Sequence, residues 1–155
     1  LRRMFRTIPR APLILGLAGL LPFLWGALAA LVADPAALPL MGDMPRALRS
    51  ERLLVEYGLI ILVFMAGALW GFAARAGGRA AVLGLLASVL PALYVFFLAG
   101  RGFEADLLTL AFGFAVLLPL DWAFQRAGMA PRWWLALRLP LTLVALLALL
   151  LPVAL

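Results

Sequence analysis

The sequence predicts an all-α, polytopic helical membrane protein of about five transmembrane helices, with a cytoplasmic N-terminus and a periplasmic C-terminus. Three observations predict it. Hydrophobic residues make up 67% of the 155 positions, against about 45–50% in a soluble domain. Charged residues make up only 13%, too few to give a chain of this size a water-soluble surface. The apolar residues also gather in stretches of about 20, each able to cross about 30 Å of hydrocarbon. The length allows a single helical membrane domain over 1–155.

The first span covers about 12–33. A basic segment, Arg2, Arg3, Arg6 and Arg10, precedes it, and Pro9 and Pro12 suit a helix entrance. The long apolar stretch, the central Pro22 and the want of a small-x-small cleavage site near Ala33 favour a retained span over a cleaved signal peptide. A polar loop with Pro35, Pro39 and Pro45 follows, and within it 44–54 reads as a short interfacial helix.

The second span covers about 53–74, with Glu56 in its first turn, and ends at the tight turn Arg75-Ala76-Gly77-Gly78-Arg79. The third, about 80–99, is broken by Gly100-Arg101-Gly102. The fourth, about 105–124, closes near Asp121, and Gly128 and Pro131 mark the loop beyond it. The fifth covers about 134–155.

Orientation follows from arginine. With the N-terminus inside, nine of the 13 basic residues (Arg2, Arg3, Arg6, Arg10, Arg75, Arg79, Arg126, Arg132 and Arg138) fall on the cytoplasmic side. Arg46, Arg49, Arg52 and Arg101 fall outside. Basic residues concentrate on the cytoplasmic side of membrane proteins, so this orientation is the expected one. Trp122, Trp133 and Trp134 are the expected anchors at the inner interface, and Tyr57 at the outer. Such a chain belongs in a membrane that it crosses several times. Its cytoplasmic arginines, Arg2, Arg3, Arg6 and Arg10 first, would meet anionic lipid head groups such as cardiolipin. They form no continuous basic face, so the net charge of +6 does not point to nucleic acid.

The residues that are missing exclude most chemistry. The chain contains no His, Cys, Lys or Asn. That removes thiolates, disulfides, imidazole bases and haem ligands, and Schiff-base lysines. Ser50 and Ser88 therefore have no His or Lys to activate them. Glu51, Glu56, Glu104 and Asp106 could gather on the outer side, but Arg46, Arg49, Arg52 and Arg101 sit among them, so salt bridges are the simpler expectation than a metal site. No catalytic residue, bound metal or cofactor held by its own side chains is expected.

Gly67-Ala68-Leu69-Trp70-Gly71 is a GxxxG pattern, and Gly16 and Gly19 form a looser small-residue patch. Glycines four apart share a helix face and let another helix come close. Packing among this chain's own helices is the first expectation for them, and contact with another subunit the second. Pro22, Pro91 and Pro119 lie inside spans and can kink them. Two charges stand near span ends, Glu56 as a candidate functional charge and Asp121 as a candidate ion-pair partner of Arg126 or Arg138. The polar inventory inside the spans is Ser88, Tyr94, Thr109 and Thr142. That is too thin for a proton or ion path.

Several segments in order resemble one family. They are Ile8-Pro9-Arg10 with Gly16-Leu17-Ala18-Gly19-Leu20-Leu21-Pro22-Phe23, Tyr57-Gly58, Phe64-Met65-Ala66-Gly67 and Leu69-Trp70-Gly71-Phe72. Ser88-Val89-Leu90-Pro91, Leu120-Asp121-Trp122, Pro131-Arg132-Trp133-Trp134 and Leu137-Arg138-Leu139-Pro140-Leu141-Thr142 follow. The set resembles the bacterial domain-of-unknown-function family 3429, related to the mitochondrial transmembrane protein 69. The resemblance implies a small multi-span inner-membrane protein and carries no activity. The expected function is a non-catalytic accessory, assembly or stabilising subunit of a larger respiratory or photosynthetic membrane complex, with membrane lipids and other subunits as partners. Self-association stays open. The alternative is a small transporter or channel for a neutral or lipophilic solute.

Overall fold

Hydrocarbon offers the backbone no hydrogen-bond partner, so a chain this apolar has to satisfy its amides within helices. The computed structural model describes residues 8–32, 41–50 and 52–155, and among them every long regular element is an α-helix. These are α1 (Arg10–Ala18), α2 (Leu21–Leu31), α3 (Leu53–Ala74), α4 (Gly78–Leu98), α5 (Phe103–Arg126) and α6 (Trp134–Ala154). Taking α1 and α2 as one broken rod over Arg10–Leu31, five helices are long and apolar enough to span a membrane.

The break in the first span is where proline chemistry places it. Pro22 has no N–H to give the carbonyl of Ala18. The chain turns at Gly19 and Leu20 and restarts as α2 with Pro22 in its first turn. Gly19 is not left unsatisfied, because the Tyr57 hydroxyl donates to its carbonyl at 3.0 Å. Pro91 and Pro119 stay inside unbroken helices, as does Pro140.

Sequential helices pack side by side, and α3 also packs on α5 while α2 leans on both α3 and α6. α5 is the most enclosed rod: Leu107, Leu110, Phe114 and Leu117 are all buried against its neighbours. Phe23 of α2 seals the centre, edge-on to Tyr57 and to Phe114 with ring centroids 5.2 and 5.8 Å away. Where the sequence suggested an interfacial helix over 44–54 stands a 3-10 turn, Arg46–Arg49, preceded by another at Met41–Asp43 and followed by the start of α3 at Leu53. The Trp25 indole N–H ties this stretch down by donating to the Leu48 carbonyl at 2.9 Å.

Three of the glycines that let helices touch, Gly58, Gly84 and Gly113, are not among those the sequence pattern picked out. A Cβ added at Gly84 would lie 2.9 Å from the Ala73 Cβ, and one at Gly113 2.5 Å from Leu62 Cδ1. One at Gly58 would lie 2.8 Å from Leu110 Cδ1. Gly67 and Gly71 instead face outward, with none of the described residues within 4 Å of an added Cβ. Among the described residues, the internal contact first expected of the GxxxG pattern is therefore not made. Spacing reveals a shared face but not the direction in which that face points. Gly16 does meet its neighbours, Leu141 on α6 among them, and Gly19 lies at the break beside Tyr57.

Candidate functional site

Asp121 projects from the last third of α5 and is 1% exposed. Two residues one turn apart on α6 reach it. The Arg138 Nε donates to Oδ2 at 2.8 Å, and the Trp134 indole N–H donates to Oδ1 at 2.6 Å. An edge-on contact with Phe72 of α3, centroids 4.9 Å apart, holds the indole in place. The α5–α6 loop is fastened beside them by the Leu135 N–H, which donates to Gln125 Oε1 at 2.9 Å. Arg138 is 3% exposed, so both charges are removed from solvent, and the close pairing offsets the desolvation that burial costs.

Sequence spacing left Arg126 and Arg138 both open as partners of Asp121. Five residues is about 500° of helix, so Arg126 stands on a different face of α5 from Asp121. It lies over the exposed Trp122 ring instead, 5.3 Å from the centroid. Trp134, expected as an interfacial anchor, is 8% exposed and turned into the bundle by its bond to Asp121. Trp133 is half-buried next to it, and Trp122 is exposed. Tyr57 is likewise turned inward, half-buried between Phe23 and the Gly19 carbonyl. Glu56 is exposed in the first turn of α3 and joins no ion pair among the described residues. Arg10 is exposed at the start of α1, whereas Arg2, Arg3 and Arg6 lie outside the described residues.

The polar cluster borders a cavity of about 530 Å³. α1, α2, α3, α5 and α6 all contribute to its wall, which is aliphatic and aromatic apart from Arg138 and Thr142. Both carry a buried polar atom without a hydrogen-bond partner among the described residues, Nη2 of Arg138 and Oγ1 of Thr142. Such atoms are uncommon in folded proteins, where buried donors almost always find a partner. The sequence carried a signal for this arrangement. Residues 134, 138 and 142 are spaced i, i+4, i+8, which lines a Trp, an Arg and a Thr along one helix face.

A second polar centre sits at the other end of α5. Asp106, 1% exposed, accepts Arg52 Nη2 at 2.6 Å and the backbone N–H groups of Gly100 and Arg101 at 2.7 and 3.1 Å. It joins the α4–α5 loop to the start of α3. Of the acids and arginines expected to pair on the outer side, these two do. Among the described residues no three acidic side chains gather as a metal site would need.

These features define a multi-pass, all-helical membrane protein braced by two carboxylate-centred clusters, with an apolar cavity beside one of them. The chain belongs to the family described as protein of unknown function (DUF3429), whose model matches residues 8–154. No curated protein and no solved structure matches it.

Proposed function

We propose that this chain is a non-catalytic accessory or assembly subunit of a larger bacterial inner-membrane complex, acting through helix packing and lipid contact. One observation carries the proposal. Gly67 and Gly71 leave bare backbone on the outer surface of α3, beside the exposed Trp70. Each glycine inside a helix costs about 1 kcal/mol relative to alanine. Gly58, Gly84 and Gly113 offset that cost with close contacts inside the bundle. Gly67 and Gly71 gain nothing there, and a helix from a neighbouring subunit would give them the same close approach. The proposed host is a respiratory or photosynthetic complex. On this reading Arg10 and the basic residues before it meet anionic head groups on the cytoplasmic face.

Purification of the tagged chain from its own membranes in mild detergent tests this. Stoichiometric co-purifying membrane subunits are expected, and Gly67→Leu with Gly71→Leu should release them while the chain stays folded. Recovery as a free monomer, or a complex indifferent to both substitutions, overturns the proposal.

A further inference from the structure

We propose that the cavity beside Arg138 holds one membrane amphiphile by a neutral carbonyl oxygen, with the molecule's chain lying along the apolar wall. The cavity has the volume of a small-molecule site, about 530 Å³, within the usual range of about 300–1,000 Å³. Leu15 and Phe64, which line it, are 72% and 65% exposed on the membrane-facing surface. A lipophilic molecule can thus enter sideways from the bilayer. None of the residues of α1 is buried, so this half-helix forms a lightly held flank over the opening, next to the break at Gly19.

The polar end of the cavity selects the head of the ligand. Arg138 Nη2 can only donate, and the Thr142 hydroxyl has a proton to donate as well. Other buried hydroxyls in these helices bond back to their own backbone. Thr109 Oγ1 donates to the Ala105 carbonyl and Ser88 Oγ to the Leu85 carbonyl, each at 2.8 Å. Thr142 makes no such bond. Two unused donors one helical turn apart call for an acceptor. That acceptor need not be charged, because Asp121 already balances Arg138 at 2.8 Å and its carboxylate would repel an anion. Arg138 and Thr142 stand four and eight residues into α6, about 6 and 12 Å along its axis, so both donors lie in the first half of that span. Phe23, Phe114 and Ala145 line the cavity beside the ligand's chain. Two membrane molecules share this chemistry, the ester carbonyl of a glycerophospholipid and the ring carbonyl of a quinone.

The test uses the full chain, delipidated in detergent, with three probes: dioleoyl phosphatidylglycerol, its ether-linked counterpart without carbonyls, and a decyl-substituted benzoquinone. Binding is read by thermal shift and by titration of tryptophan fluorescence. At least one carbonyl-bearing probe should bind about tenfold more tightly than the ether lipid, the scale of one hydrogen bond. Thr142→Val, which leaves the Asp121–Arg138 pair intact, should weaken that binding without lowering the melting temperature of the empty protein. A preference for the diester lipid assigns the site to phospholipid, and a preference for the benzoquinone assigns it to quinone. Equal binding of ester and ether lipids with no quinone binding, or carbonyl binding unaffected by Thr142→Val, overturns the proposal.

Discussion

Asp121 and Arg138, 17 residues apart, meet at 2.8 Å across the α5–α6 contact with both side chains almost wholly buried. Each neutralises a charge that the apolar interior could not hold alone. The Trp134 indole completes the carboxylate's shell on its other oxygen. The pair therefore acts as a polar rivet between the two helices, beside the hydrogen bond from the Leu135 N–H to Gln125.

Removing one partner should be far worse than removing both. Asp121→Ala strands a buried guanidinium, and loss of about 3–5 kcal/mol of stability is expected. Asp121→Leu combined with Arg138→Met should restore most of it, because no unpaired charge is left. Trp134→Phe removes a single donor and should cost about 1–3 kcal/mol. Thermal unfolding in detergent measures all three. A double variant no more stable than Asp121→Ala would show that the pair does more than cancel charge.

The cluster at Asp106 should respond unequally to its two partners. Arg52 is 45% exposed, and an ion pair open to solvent is worth about 0–1 kcal/mol. Arg52→Ala should therefore be mild. Asp106→Ala also takes the acceptor from the backbone N–H groups of Gly100 and Arg101, and about 2–4 kcal/mol is expected. Limited proteolysis should then cut the 99–102 loop in Asp106→Ala and spare it in Arg52→Ala. Equal cutting in both would assign the bracing to the salt bridge rather than to the amides.

Two alanine substitutions separate inner from outer glycines. At Gly84 the new methyl would lie 2.9 Å from the Ala73 Cβ, an atom that moves only with its backbone. Gly84→Ala should cost about 1–3 kcal/mol through overpacking. At Gly67 the methyl meets nothing, so Gly67→Ala should be neutral or stabilise the isolated chain by up to about 1 kcal/mol. Thermal melts of the two variants should move in these different directions. A stable Gly84→Ala protein would mean that α3 and α4 can separate without cost.

Composition and run length made the five apolar helices legible, because hydrocarbon imposes the same demand on every span. Direction within each helix was harder to read. Hydropathy is high all round these rods, so nothing in the sequence said that Gly67 faces out while Gly84 faces in. Trp134 misled for a related reason. Its position at a span end fits an interfacial anchor, and only the presence of Asp121 across the helix contact turns it inward. The choice of Arg138 over Arg126 was accessible in principle from helical angle. The cavity was not, since it is formed by residues from five helices.

Orientation can be measured directly because the chain has no cysteine of its own. Gly42 and Gly77 are exposed, have open space around an added Cβ, and flank α3 in sequence. If α3 crosses the bilayer, Gly42→Cys and Gly77→Cys must lie on opposite faces. A five-span arrangement would put nine of the 13 arginines on the side of the N-terminus and of Gly77, and basic residues are retained in the cytoplasm. A membrane-impermeant maleimide should therefore label Gly42→Cys in intact cells, and Gly77→Cys only once the inner membrane is opened. The reversed pattern would place the arginine-rich face outside, against the charge rule. Equal labelling of both from outside would mean that α3 does not cross, and would undo the five-span arrangement itself.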